Sequence, residues 1–178
     1  MKKGNGKSVN IRWALTTLVW SFVLSMAFRF GSDVALSSVN LPVAFVILLI
    51  VILIGIGFDV LGVATATADE VPFHGMAARR IPWAKRSLAL IRNADKVSSF
   101  CNDIIGDICG IISGAITTVI IVRIPFEGVL LTVTTLAITG AVAALTIGGK
   151  ALCKGLAMNN ANSVLMFVGR VIYIFKKD

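Results

Sequence analysis

A chain of 178 residues with 57% hydrophobic and only 15% charged side chains is not composed like a soluble domain, in which about 25% of residues are charged. Its mean hydropathy is +0.90, and no ionisable side chain lies between Asp33 and Asp59, between Glu127 and Lys150, or between Lys154 and Arg170. The net charge of +8 raises nucleic acid as a partner, but the positives sit in clusters between apolar runs, with no compact basic face and no interleaved aromatics. Lysine and arginine flanking membrane spans account for them, so no nucleic-acid partner is expected.

The first apolar run, Trp13 to Phe28, is short and bounded by Arg12 and Arg29, whose long stems can reach outward to the headgroups. A secretory signal peptide competes with this reading, since Lys2 and Lys3 precede the run. No small-x-small cleavage site follows directly and a stronger span comes next, which favours a retained anchor. That second span, Leu41 to about Ala64, contains PVAFVILLIVILIGIG, and its length predicts a helix rather than a strand. It runs into FDVLGVATATADE, which places Asp59 inside the span or at its edge. Residues 69–96 read as a loop of amphipathic pieces interrupted by Pro72 and Pro82. The third segment, Val97 to Val122, has a polar first half, VSSFCNDIIGD, and an ordinary apolar second half. After a turn at Arg123, Pro125 and Glu127 comes a fourth, uncharged span, Gly128 to about Gly149. Beyond it, Val164, Leu165, Val168, Val171, Ile172 and Phe175 recur at helical spacing, which predicts an interfacial amphipathic tail ending in Lys176 and Lys177.

The expected architecture is therefore a single all-α integral membrane domain, with about four transmembrane helices and amphipathic juxtamembrane helices. Residues 1–12 form a basic N-terminus, 13–150 the bundle and 151–178 the tail. Orientation follows from the positive charges. An inside N-terminus puts Lys2, Lys3, Lys7 and Arg12 on the cytoplasmic side. The central loop adds Arg79, Arg80, Lys85, Arg86, Arg92 and Lys96, and the end of the chain adds Lys150, Lys154, Arg170, Lys176 and Lys177. Only Arg29 and Arg123 remain outside, which is the asymmetry that orients spans in the cell (inner) membrane with both termini cytoplasmic. Anionic lipids are the expected partners of the basic loop.

Three carboxylates fall at or near membrane depth: Asp59 late in the second span, and Asp103 and Asp107 early in the third. Charged residues there usually face a bundle interior or an aqueous cavity. Asp103 and Asp107 are four apart, on one helix face, and Asn102, Ser98 and Ser99 add neutral oxygens. Such a set suits a hard cation, magnesium or calcium. The competing reading is hydrated carboxylates at the headgroup boundary, paired with Lys96 or Arg92. No nucleophile-base set, phosphate loop or paired histidine motif is present, so the chain is not expected to be an enzyme. Cys101, Cys109 and Cys153 lack CxxC spacing and read as small buried side chains, and His74 has no zinc partners and reads as a surface residue. Gly106, Gly110 and Gly114 make a small-residue seam that permits close helix packing, although the same seam could line a cavity or form a homodimer face.

The stretch FDVLGVATATADEVPFHGMA…WAKRSLALIRNADKVSSF…GDICGIISGAIT resembles the membrane domain of the CNNM/CorB/CorC family of magnesium transporters. Phe58, the run Ala84-Lys85-Arg86, Asn93 with Asp95 and Lys96, and the Gly110 to Gly114 segment carry the likeness, over roughly residues 42 to 150. The family's motif serine falls at Asp59 and its glutamate at Gly62. Its Asn-Asn pair falls near Gly106 and Asp107 when one extra residue is placed between Lys96 and Gly106. The CBS pair and C-terminal domain typical of the family do not follow, and an additional first span precedes the likeness. The resemblance implies a homodimeric transporter or permease, with a magnesium-type divalent cation as substrate. Asp59, Asn102 and Asp107, with Asp103 and Ser99 nearby, would be its ligands. The alternative is a non-transporting membrane partner or regulatory subunit with the same fold.

Overall fold

The computed structural model describes residues 11–36 and 39–175, and every element among them is helical. Lys2, Lys3 and Lys7 of the basic N-terminus, and Lys176 and Lys177 of the tail, lie outside the described residues. Helix α1 (Ile11–Leu36) is followed by α2 (Leu41–Thr67), which starts with Pro42 in its first turn, where a missing N–H costs nothing. Three short helices come next: α3 (Glu70–Ala78), α4 (Ala84–Arg92) and α5 (Ala94–Ser99). A π-helical stretch, Phe100–Ile105, joins α5 to α6 (Gly106–Val122) without a break. Then come α7 (Gly128–Asn159) and α8 (Ala161–Phe175).

Three of these helical runs are long and apolar enough to cross a membrane: Leu41–Thr67, Ala94–Val122 and Gly128–Asn159. The first run of the sequence is also helical, but it extends further than expected, over 26 residues. Two other boundaries shift. The fourth span does not stop near Gly149: α7 continues through Lys150 and Lys154 to Asn159, because nothing in GGKALCKGLAMN breaks a helix. At 32 residues it is about 48 Å long, more than a hydrocarbon core of about 30 Å requires. The tail is accordingly shorter than residues 151–178. Pro72 does not interrupt the central loop either. It sits in the first turn of α3, capped by Asp69, whose side chain accepts from the N–H of Val71 at 3.0 Å. Pro82 does separate α3 from α4.

Helix α2 is central, packing on α6 and α7, while α1 runs along α6. Ala44, Leu48 and Ile52, four apart on α2, meet Ile116 and Ile120 of α6, with Ile138 and Val142 of α7 against them. Rows spaced by four interlock readily. Gly55 brings the two backbones close, since a Cβ there would lie 3.1 Å from Cβ of Cys109. The other side of the first half of α2 is apolar and outward-facing: Phe45, Leu49, Leu53 and Ile54 are exposed, as befits a helix solvated by lipid. Hydroxyls in the spans return to their own backbone. Thr65 donates to Leu61 O at 2.7 Å, Thr117 to Ser113 O at 2.7 Å and Thr146 to Val142 O at 2.8 Å. In lipid no water would otherwise satisfy them.

A second layer caps one end of the bundle. Phe73 of α3, Leu88 and Ile91 of α4 and Leu165 of α8 form its core, and Ala157 and Ala161 join α7 and α8 to Ala64 of α2. His74 lies on this layer and pairs with Glu70 one turn away at 3.2 Å, both half exposed. Arg170 stands 5.1 Å over the Trp83 ring, and the buried Ser87 donates its hydroxyl to Leu165 O at 2.9 Å. Gly169 makes this crossing possible, because a Cβ there would come within 2.1 Å of Ser87 Oγ and 3.3 Å of Trp83 O. Gly169→Ala is expected to expel the buried Ser87 hydroxyl from its bond to Leu165 O and leave that hydroxyl without a partner, at a cost of about 2 kcal/mol. Thermal unfolding in detergent measures it, and Ser87→Ala in the same chain should restore part of the loss. At the opposite end, the Arg123 guanidinium donates to Val39 O, tying the end of α6 to the start of α2. Gly128, at φ +63°, turns the chain into α7 in a conformation that other residues resist.

Candidate functional site

Asp59 and Lys150 find each other where the bundle meets the capping layer. Both α2 and α7 run from the Arg123 end, and at 1.5 Å per residue Asp59 lies about 27 Å from Leu41 and Lys150 about 33 Å from Gly128. The two side chains therefore arrive at similar depth. Lys150 Nζ is 3.8 Å from Asp59 Oδ1, with the carboxylate side chain 17% exposed and the lysine 33%. That separation compensates charge but is too long for a hydrogen bond. Among the described residues the Asp59 carboxylate accepts no hydrogen bond, and this pair is its only contact with a charge.

Two glycines position the pair. Gly149 lets α7 press onto α2, since a Cβ there would come within 2.4 Å of Ile56 Cδ1. Gly106 makes room for the ammonium, which lies 3.5 Å from where its Cβ would be. The third wall is the π-helical stretch. Its wide turn carries Asn102 against Gly62, one turn beyond Asp59 on α2. Single π turns inside helices are frequent at functional sites. Asn102 donates to Ser98 Oγ at 3.3 Å, yet its Oδ1 is buried without any hydrogen-bond partner. Gly62 explains how the amide fits: a Cβ there would stand 2.3 Å from that oxygen. The position that the resemblance assigns to a glutamate is thus the space that an asparagine occupies.

The expected ligand set does not close around one point. Asp59 and Asn102 share the α2 face, with Ser98 behind the amide. Ser99, Asp103 and Asp107 are exposed. Among the described residues no group of three or more His, Cys, Asp and Glu side chains stands together as a metal site. The neighbours suggested by sequence for the aspartates, Lys96 and Arg92, do not pair with Asp59; Lys150 does. Its signal was available, as the first charge after an apolar run whose length matches that from Leu41 to Asp59. In the small-residue seam, Gly110 and Gly114 meet nothing within 4 Å and line a groove of about 330 Å³ between α6 and α7, alongside Ser113 and Thr139. The three cysteines are free, with Cys101 buried and Cys109 and Cys153 half-buried.

What the site offers chemically is a carboxylate, an amide oxygen and a hydroxyl, oxygens that suit a hard cation, together with an ammonium that already balances the charge. Comparison with protein-family models, with curated proteins and with solved structures finds no match.

Proposed function

We propose that the chain is a multi-pass transporter or permease for a divalent, magnesium-type cation. On this reading α1, about 39 Å long by its 26 residues, is the fourth span, and the capping layer faces the cytoplasm with Arg79 and Arg80 after α3 and the basic residues of α4. The observation that carries the proposal is the state of Asp59. A carboxylate held among membrane helices by one ammonium at 3.8 Å and no hydrogen bond is under-coordinated, and one helical turn along α2, at Gly62, packs the unpaired Asn102 oxygen. Buried charges are ordinarily paired and hydrogen-bonded. A divalent cation would supply what both oxygens lack. Lys150, on its flexible four-carbon stem, would swing away and return when the cation leaves, so that the carboxylate is never left uncompensated. Asp107, Asp103 and Ser99 would act as outer, hydrated oxygens along the approach.

The same ion pair supports a second reading, a non-transporting partner or regulatory subunit. There Lys150 is a permanent counter-ion and the pair locks α7 to α2. Magnesium flux into proteoliposomes containing the purified chain separates the two. Transport predicts flux in the wild type, abolished in Asp59→Asn. No flux from folded wild-type protein favours the partner, and full flux in Asp59→Asn removes this aspartate from the pathway. Binding has its own readout: magnesium at about a hundred times its Kd should stabilise the wild type by about 2.7 kcal/mol, and the variant far less.

A further inference from the structure

We propose that the cleft between α3, α4 and the end of α8 binds the headgroup of an anionic phospholipid. The cleft has a volume of about 710 Å³, within the range of small-molecule sites. Arg80, Lys85 and Arg86 line it together with Tyr173, and no carboxylate of the described residues forms part of its wall. The remaining surface is apolar, including Ile81 and Pro82. Three cations over an apolar floor match a phosphodiester joined to acyl chains better than a free phosphate, which has nothing to lay on that floor. The cleft also stands at the end of the membrane-crossing helices, and the packed layer of Phe73, Leu88, Ile91 and Leu165 gives it a preformed base. Basic pockets in this position hold anionic headgroups by charge and hydrogen bonds together.

Two features of the backbone show that positive charge is kept here against local preference. Helix α3 ends in a Schellman motif: the N–H of Arg80 reaches Ala77 O at 3.0 Å and that of Ile81 reaches Met76 O at 3.1 Å. The residue at its left-handed position is ordinarily glycine, but here it is Arg80, at φ 57°. Strain of this kind concentrates where a side chain is needed. The first turn of α4 then carries Lys85 and Arg86 with no acidic residue and no side-chain cap, although a helix N-terminus favours negative charge. Dipole and side chains direct positive potential at the same cleft.

This inference rests on membrane insertion alone and is independent of cation transport. The test uses the full chain, purified in neutral detergent and melted with added phosphatidylglycerol, phosphatidylcholine or soluble glycerol phosphate. Phosphatidylglycerol should raise the melting temperature at concentrations where the other two do not. Arg80→Gly removes the guanidinium while relaxing the backbone. It should melt at or above the wild type without lipid, yet bind phosphatidylglycerol at least tenfold more weakly. Lys85→Gln should weaken binding likewise, and it decides the matter should Arg80→Gly fail to fold. Equal responses to the two lipids, or an undiminished response in the folded variants, would overturn the site. An equal response to glycerol phosphate would overturn the assignment to lipid.

Discussion

Lys150→Met is expected to destabilise the folded protein by about 2 kcal/mol, and Asp59→Asn in the same chain to recover most of that loss. The first substitution leaves the Asp59 side chain, 17% exposed, with no counter-charge and no hydrogen bond. Stranding one member of a buried pair costs several kcal/mol, discounted here because the lysine is one-third exposed and the pair is loose at 3.8 Å. The second substitution removes the stranded charge, so the two changes are strongly non-additive. Denaturation in mixed micelles measures the cycle. Additive losses would mean that the pair contributes no coupling and that α7 is held to α2 by apolar packing alone, at Gly149 and Ile56 and along the rest of their contact. The cycle also bears on function. If Lys150 competes with a cation for Asp59, Lys150→Met should bind magnesium more tightly than the wild type while releasing it more slowly. A lysine that only locks the helices would leave magnesium without effect in both proteins.

Much of the architecture was legible because charge and apolar length are one-dimensional signals. The apolar run over PVAFVILLIVILIGIG and the uncharged stretch after Glu127 each mark a helix, and the capping layer follows from the prolines and the basic residues between spans. The boundaries were less legible. A lysine reads as the end of a span, yet α7 passes through Lys150 and Lys154, because charge limits insertion into lipid and not helix formation. The polar residues were legible one by one; their pairing was not. Asp59 and Asn102 were visible as polar residues in apolar surroundings. Lys150 was counted only as a topological charge, since which helix faces Asp59 depends on a packing arrangement brought about by Gly149, Gly106 and Ile56. Glycines that matter by what they let approach carry no signal in a single sequence. Gly62 and Gly169 have close neighbours, whereas Gly110 and Gly114, which the spacing emphasised, face open space.

Asn102→Ala is expected to leave stability unchanged or to raise it by about 1 kcal/mol, while Gly62→Ala lowers it by about 2 kcal/mol. The asymmetry follows from one oxygen. Asn102 Oδ1 is buried and unpaired, and keeping such an acceptor from water costs about 1–3 kcal/mol. Truncation removes that cost, offset in part by the small void it opens and the lost bond to Ser98. Gly62→Ala does the opposite, placing a methyl group 2.3 Å from the oxygen and 2.9 Å from its carbon, so the amide must be driven out of the α2 face. Combining the two should cancel most of the loss, because alanine at 102 vacates the space that alanine at 62 needs. Equal destabilisation by both single variants would show that the amide is a structural wedge. A protein that bears an avoidable cost at one position usually draws on it elsewhere. On the transport reading the use is a ligand, so Asn102→Ala should keep its fold and lose most of its stabilisation by magnesium. Should that stabilisation persist in full, Asn102 is not part of the cation path and Asp59 must act with water alone.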